Sequence, residues 1–113
     1  MLLIIGEPSC RDTQKAIRFC KERTIAFQFF NLRKDSLAEG HWNVIFSVLE
    51  PQTLIDTESA YYKKEGYAWR VYDASEELKA HPQLLKTPLL KDGHKVVQGF
   101  DEAWLERQRG AVR

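Results

Sequence analysis

The sequence is short of cysteine, of long apolar runs and of net charge, and each shortage removes a class of protein. Cys10 and Cys20 alone cannot build the disulfide framework of a small secreted domain, so a reducing compartment is expected. The apolar run from Leu2 to Ile5 is far shorter than the roughly 20 residues that span a bilayer. The N-terminus also lacks the basic and apolar regions of a secretory signal. We therefore expect a cytoplasmic protein that makes no contact with a membrane.

Charge and metal-binding residues exclude further classes. The 17 Lys and Arg residues balance 16 Asp and Glu residues, so the net charge of +1 does not favour nucleic acid as a partner. The three histidines are scattered, and the chain lacks both a Cys-x-x-Cys pair and a glycine-rich phosphate loop. We expect no metal site and no bound cofactor.

The first third of the chain predicts a strand, a helix and a second strand. Leu2 to Ile5 form a short apolar strand that ends at a Gly/Pro loop, and a helix is predicted from about Arg11 to Arg23. The run from Ile25 to Phe30 is rich in residues that suit a pleated, half-buried surface. Because a strand–helix–strand crossover is right-handed, these two strands should be parallel.

The middle of the chain is helical in character. Ser36 and Glu39 have capping-box spacing and precede apolar residues with helical periodicity up to Pro51. A second helix is predicted from about Gln52 to Glu65, and a third from about Glu76 to His81, capped by Asp73 or Ser75. We interpret residues 36–81 as a helical insertion.

The last third predicts a hairpin and a helix. Asp92-Gly93 between two apolar runs indicates an antiparallel hairpin. The segment from Asp101 to Arg109 should then form a helix with Trp104 and Leu105 facing inward. The order βαβ, helices, ββα is that of an α/β thioredoxin-like fold with a four-stranded mixed sheet. We predict one domain over residues 1–110 and a tail at residues 111–113.

Cys10 is the candidate reactive residue because it opens the first helix. Unpaired N–H groups and the helix dipole favour a thiolate at that position, and Arg11 would add positive charge if its side chain folds back. Thr13 could donate a hydrogen bond to the thiolate. The alternative interpretations are an inert Cys10 and a Thr13 that is only a first-turn helix residue.

A disulfide formed by Cys10 should join it to another molecule. Thr13 occupies the fourth position of a C-x-x-C-like segment, so no neighbouring cysteine is present to close a local disulfide. Cys20 lies ten residues along the helix, about 15 Å away, whereas the Cα atoms of a disulfide lie within about 7 Å. Cys20 is expected to be a small core residue. The partner would then be glutathione or another protein.

Four segments of the chain, in order and with compatible spacing, resemble the glutaredoxin-coupled arsenate reductase (ArsC-like) family. That family includes the Spx-type regulators and the YffB-type proteins. The segments are Pro8-Ser9-Cys10, Leu54-Ile55-Asp56-Thr57 leading to Tyr62-Lys63-Lys64-Glu65-Gly66, His81-Pro82-Gln83-Leu84-Leu85-Lys86-Thr87-Pro88, and Val97-Gln98-Gly99-Phe100-Asp101-Glu102. The resemblance implies a thioredoxin-like fold and redox chemistry at Cys10.

The chain departs from the arsenate reductases at the residues that hold the oxyanion. The three arginine positions of those enzymes correspond to Asp56, Thr87 and Phe100. A carboxylate about 6 Å from an arsenate oxygen would repel it by about 3 kcal/mol per unit charge at an effective dielectric of about 20. Reduction of free arsenate is therefore not the expected activity.

Thr87-Pro88 is the second part of the predicted site. The resemblance implies that Pro88 is cis and faces Cys10, and that the backbone before it pairs with an extended peptide such as glutathione. An ordinary trans proline at the start of a strand is the alternative. Lys86 could contact a ligand carboxylate, although a solvated side chain is the alternative here too.

Two functions remain after these considerations. In the first, the protein is a thiol oxidoreductase linked to glutathione or glutaredoxin, with Cys10 as its nucleophile. In the second, it is a non-catalytic Spx-like module whose insertion helices bind a protein such as RNA polymerase. A substrate-specific reductase with an unknown electron acceptor is a third, weaker alternative.

Overall fold

The computed structural model describes residues 1–111 and the side chains of residues 1–108. The chain folds into two compact units. The first unit combines Met1–Ser36 with the chain from Thr87 onward, and the second is Leu37–Lys86. The second unit begins one residue after the predicted start of the helical insertion and ends five residues after its predicted end. The expectation of a single domain stays a prediction.

The first unit is built on a four-stranded sheet in the order β2-β1-β3-β4. Its strands are β1 (Leu2–Gly6), β2 (Gln28–Asn31), β3 (Leu89–Asp92) and β4 (Lys95–Gln98). β1 pairs parallel with β2 and antiparallel with β3, which pairs antiparallel with β4. The mixed four-stranded sheet predicted from the sequence is confirmed.

Two details of the strands differ from the predictions. β2 starts at Gln28 rather than Ile25, because Ile25 still belongs to the cap that follows the preceding helix: its N–H donates to the Cys20 carbonyl at 2.8 Å. In the hairpin, Asp92 pairs with Lys95, so the turn is centred on Gly93 and His94, one residue later than predicted. Gly93 has a φ of 61°, a positive angle that its missing side chain permits at the first central position of such a turn.

Two helices pack with the sheet to form the core of this unit. Helix α1 (Arg11–Glu22) buries Thr13, Ala16, Phe19 and Cys20, which recur at helical spacing. Helix α5 (Glu102–Ala111) begins after Asp101, whose side chain accepts a hydrogen bond from the Trp104 N–H at 3.0 Å. The apolar cluster comprises Leu2, Ile4, Ala16, Phe19, Cys20, Ile25, Leu90, Trp104 and Leu105. Ala111 ends α5, and the rest of the predicted tail lies outside the described residues.

The second unit consists of short helices. Its α-helices are α2 (Glu39–Val48), α3 (Ala60–Lys64) and α4 (Ala74–Ala80), and its 3-10 helices are Pro51–Leu54, Tyr67–Trp69 and Pro82–Leu84. Asp73 caps α4 by accepting from the Glu76 N–H, which selects between the two predicted caps. The prediction that Ser36 and Glu39 form a capping box is wrong. Glu39 is the first residue of α2, and Ala38 occupies the N-cap position.

The predicted helix from Gln52 to Glu65 is also wrong. Ile55 forms an antiparallel bridge to Leu85 instead. The Asp56 carboxylate then accepts a hydrogen bond from the Glu58 N–H at 3.0 Å, and Ser59 caps the short helix α3. Short polar side chains that bond to nearby backbone compete with helix formation, and here they replace it.

Within residues 1–111, none of the helices has both the length and the apolar character that crossing a membrane requires.

Candidate functional site

Cys10 sits at the start of α1, as the sequence predicted. It occupies the N-cap position with extended backbone angles, φ −75° and ψ 123°, and its N–H donates to the Glu7 carbonyl at 3.0 Å. The side chain is partly buried. The sulfur therefore lies where the first N–H groups of the helix can reach it.

The chain brings Thr87 and Pro88 to the same place from 77 residues away. The Cys10 thiol donates to the Thr87 carbonyl, with an Sγ–O distance of 3.6 Å. The Thr87–Pro88 peptide bond is cis, as the resemblance implied, and the Gly99 N–H donates to the Pro88 carbonyl at 2.8 Å. Thiol and cis-proline segment thus form one contiguous site within the first unit.

Opposing effects act on the acidity of this thiol. Burial disfavours the charged sulfur and would raise the pKa of Cys10. Hydrogen bonds from the Thr13 and Thr87 side chains and from the N–H groups of Thr13 and Asp12 outweigh burial, and the pKa lies below its ordinary value. The site therefore favours a thiolate, the reactive form of cysteine.

The Thr13 hydroxyl can donate a hydrogen bond to the Cys10 sulfur once the sulfur is ionised. While the thiol is protonated, the buried Oγ1 of Thr13 has no hydrogen-bond partner among the described residues. Ionisation turns the sulfur into an acceptor, and the hydroxyl is then one of the groups that lower its pKa. Thr13 is fully buried, and a side chain at Gly6 would collide with it.

Replacing Thr13 with valine should separate thiol acidity from stability. Valine keeps the shape of the side chain and removes the hydroxyl, so the pKa of Cys10 should rise. The free energy of unfolding should stay constant or increase by about 1 kcal/mol, because an unpaired buried hydroxyl is lost. The pH dependence of alkylation by iodoacetamide and urea unfolding measure the two effects.

Thr13→Ser is the matched control for this prediction. It keeps the hydroxyl and removes a buried methyl group, so it should retain the low pKa and lose about 1 kcal/mol of stability. A Thr13→Val protein with the wild-type alkylation profile would contradict the assigned role.

The other predicted site residues lie as follows. Arg11 is exposed at the first position of α1, and the described interactions that lower the Cys10 pKa do not include one from its guanidinium. Lys86 is exposed and is the last residue of the second unit. Their predicted roles, in thiolate stabilisation and ligand binding, stay predictions.

Cys20 is the core residue that the sequence indicated. It is fully buried on α1, and burial raises its pKa to about 11. At neutral pH this thiol is protonated and shielded, so it serves as an internal reference for the reactivity of Cys10.

Sequence reasoning missed the contacts that hold the loop before Cys10. The Gln14 side chain donates to the Pro8 carbonyl at 2.6 Å, and Arg33 donates to the Ser9 hydroxyl at 2.9 Å. A signal for Arg33 was present: parallel strands bring their carboxyl ends to one edge, so the residues after β2 must lie near the loop after β1.

The fold and site define an α/β protein of thioredoxin-like type with one partly buried thiol at a helix N-terminus. A model of the ArsC family matches residues 5–108, and the chain belongs to that family. It is therefore an arsenate reductase-like protein. None of the curated proteins compared with the chain matches it significantly.

Solved structures resemble this fold over nearly its whole length. A protein named YFFB has a TM-score of 0.81 at 20% identity, covering 95% of this chain and 97% of its own. An ArsC family related protein from Bacteroides fragilis gives 0.78 at 20%, covering 94% and 95%. An arsenate reductase from Vibrio cholerae gives 0.75 at 14%, covering 94% and 95%. These likenesses confirm the predicted thioredoxin-like fold.

Proposed function

We propose that this protein is a thiol oxidoreductase that uses Cys10 alone and exchanges disulfides with glutathione or with a glutaredoxin. The observation that carries the proposal is the environment of the Cys10 sulfur. It is partly exposed at the start of α1, it contacts the Thr87 carbonyl beside a cis proline, and its pKa is lowered. A cysteine with these properties is suited to nucleophilic attack.

The reaction is an exchange of sulfur–sulfur bonds. The Cys10 thiolate attacks one sulfur of a disulfide, a new bond forms between the two sulfurs, and the other sulfur leaves as a thiolate that takes a proton from water. Glutathione or a glutaredoxin thiolate then attacks the mixed disulfide and releases Cys10. This second attack leaves a disulfide between the attacking thiol and the sulfur that Cys10 carried. A second thiol of glutathione or of the glutaredoxin breaks that bond, so the two electrons that reduce the substrate come from two thiols, which end joined as a disulfide.

The tripeptide would dock beside the cis proline. We place its backbone along Thr87 and Pro88, where it would hydrogen-bond to the segment that already contacts the sulfur. Lys86, exposed and next to Thr87 in the chain, would contact a carboxylate of the ligand. An exposed contact of this kind contributes little to affinity, so backbone pairing would supply most of it.

Free arsenate is not the proposed substrate. The family resemblance implies that Asp56, Thr87 and Phe100 of this chain stand at the three positions that carry arginine in the arsenate reductases. An oxyanion bound beside Cys10 would therefore lack the arginines that hold it in those enzymes. The proposed substrates are therefore disulfides, whose reacting sulfur atoms are uncharged and need no arginines to bind them.

The test is the reactivity of Cys10 as a function of pH. The rate of iodoacetamide alkylation at Cys10, followed by peptide mass analysis, should rise through a midpoint below the ordinary thiol pKa of about 8.5. Cys20 in the same sample should stay unmodified, because its pKa is about 11 and it is buried. Oxidised glutathione should add one glutathione to Cys10, and a glutaredoxin should remove it.

The control variant is Cys10→Ser, which should take up no glutathione while keeping the wild-type fold. A second consequence concerns stability. Since the folded pKa is lowered, the wild type should gain stability relative to Cys10→Ser as pH rises above the lowered pKa, up to the unfolded value. An unshifted alkylation midpoint together with no mixed disulfide would overturn the proposal.

That negative outcome would leave the Spx-like interaction module as the function. One observation favours this alternative: Trp69 and Val71, in the second unit, are almost fully exposed. Large apolar side chains exposed together are typical of protein-binding surfaces. A protein partner such as RNA polymerase would then bind this segment without the sulfur.

A further inference from the structure

The side chain of Arg33, from another part of the chain, contacts the loop that precedes Cys10 at two points. Arg33 donates through Nη2 to the Ser9 hydroxyl at 2.9 Å, and its Nε lies 3.8 Å from a carboxylate oxygen of Glu7. These two residues flank Pro8, and Ser9 immediately precedes Cys10. Arg33 therefore contacts the loop on both sides of its proline, one residue before the sulfur.

Arg33 is itself fixed by the end of β2. Its backbone N–H donates to the Asn31 side chain at 2.9 Å, and the adjacent Leu32 N–H donates to the Gly6 carbonyl at 3.0 Å. Asn31 pairs with Gly6 in the parallel register of β1 and β2. The turn that carries Arg33 and the loop that carries Cys10 thus start from paired residues of the sheet.

We propose that Arg33 is a positioning residue for Cys10: it holds the loop from Glu7 to Ser9 so that the sulfur stays within reach of its hydrogen-bond donors. This inference rests on the proposed function of Cys10. Arg33 is not a catalytic residue, because it acts through Ser9 and Glu7.

Geometry rather than charge is the basis of this role. An exposed ion pair at 3.8 Å contributes little energy. Hydrogen bonds weaken steeply when distance and angle change, so a displaced loop would weaken the bonds from Thr13 and Thr87 to the sulfur. Two contacts from one guanidinium also restrict the loop more than one contact, since the side chain is already ordered by the first.

The experiment compares four variants with the wild type: Arg33→Gln, Arg33→Lys, Ser9→Ala and Lys34→Gln. Lys34 is the exposed neighbour of Arg33, so Lys34→Gln removes the same charge from the same turn and leaves the bridge intact. For each protein, the pH dependence of Cys10 alkylation and the urea unfolding midpoint are measured. A role in stability alone would move the midpoint and leave the pH profile unchanged.

Arg33→Gln should shift the alkylation profile toward the ordinary thiol pKa and lower the rate at pH 7 about fivefold, less than the loss of a whole hydrogen bond to a charged group would, because the bonds to the sulfur are weakened and not removed. Lysine can bond only one of the two acceptors, so Arg33→Lys should restore part of the rate. Ser9→Ala should show a smaller shift in the same direction, and Lys34→Gln should match the wild type.

Two results would overturn the inference: a wild-type profile for Arg33→Gln, or an equal shift in Lys34→Gln, which would assign the effect to charge. Failure of the proposed function is a separate result, because it is seen in the wild type. If the wild type forms no mixed disulfide with glutathione, the alkylation profiles still decide whether Arg33 positions the thiol.

Discussion

Replacing Gly6 with alanine should lower the free energy of unfolding by about 3 kcal/mol, the upper end of the usual cost of overpacking. A Cβ at Gly6 would lie 3.0 Å from Cγ2 of Thr13 and closer still to its hydroxyl. Neither residue can move aside. Gly6 pairs with β2 through Asn31, and Thr13 is a branched, fully buried side chain on α1. Urea unfolding followed by circular dichroism measures the loss.

The same substitution should disturb the thiol. Displacing Thr13 moves a donor away from Cys10, so the alkylation midpoint should rise in Gly6→Ala. Adding Thr13→Ala should remove the clash and recover part of the stability, giving a favourable coupling in a double-mutant cycle. Gly40→Ala is the control, because no atom lies within 4 Å of its added Cβ and alanine favours a helix. Equal stability of Gly6→Ala and the wild type would contradict the predicted clash.

Leu90→Ala should lower the free energy of unfolding by about 2 to 5 kcal/mol, the range for a truncated leucine in a packed core. Leu90 is 0% exposed and lies on β3, opposite Ile4 of β1 and Val97 of β4. A void there would remove apolar contacts to both neighbouring strands. Guanidinium unfolding measures the change.

Val71→Ala is the control for this core prediction. Val71 is fully exposed, so its truncation should change stability by less than about 0.5 kcal/mol. If the two variants were equally stable, Leu90 would not be part of the core that the structure assigns.

The first unit could be predicted well because its signals are local and agree with one another. The apolar run of β1, the thiol at the start of α1 and the Asp-Gly hairpin each have one dominant interpretation. Their order then limits the topology, since crossover handedness and hairpin pairing leave few arrangements. The position of Cys10 follows from the helix boundary alone.

The second unit was predicted less well because its structure depends on distant partners. The segment from Gln52 to Glu65 has helical composition, but Ile55 pairs with Leu85, thirty residues later. That pairing and the side-chain bonds of Asp56 and Ser59 divide the segment into two short helices. Helix propensity alone cannot predict this pairing or these side-chain hydrogen bonds.

The two main parts of the site and the Thr13 hydroxyl were predicted, whereas the contacts that hold the loop before Cys10 and the packing around Gly6 were not. Cys10 and the cis proline came from a helix start and a family resemblance. The fit of Gly6 against Thr13 depends on how closely a strand and a helix approach, which the sequence does not encode locally. The bridge from Arg33 depends on the register between β1 and β2.

If a peptide docks at Thr87 as proposed, the bond from the Cys10 thiol to the Thr87 carbonyl would couple loss of the thiol proton to peptide binding. While the sulfur keeps its proton, that carbonyl oxygen is occupied; once the proton leaves, the oxygen faces a negative sulfur without a donor. An amide N–H of the proposed peptide would then donate to this oxygen and relieve the repulsion. By reciprocity, a bound peptide would make the sulfur more acidic. Binding of the peptide and ionisation of Cys10 would thus be linked equilibria.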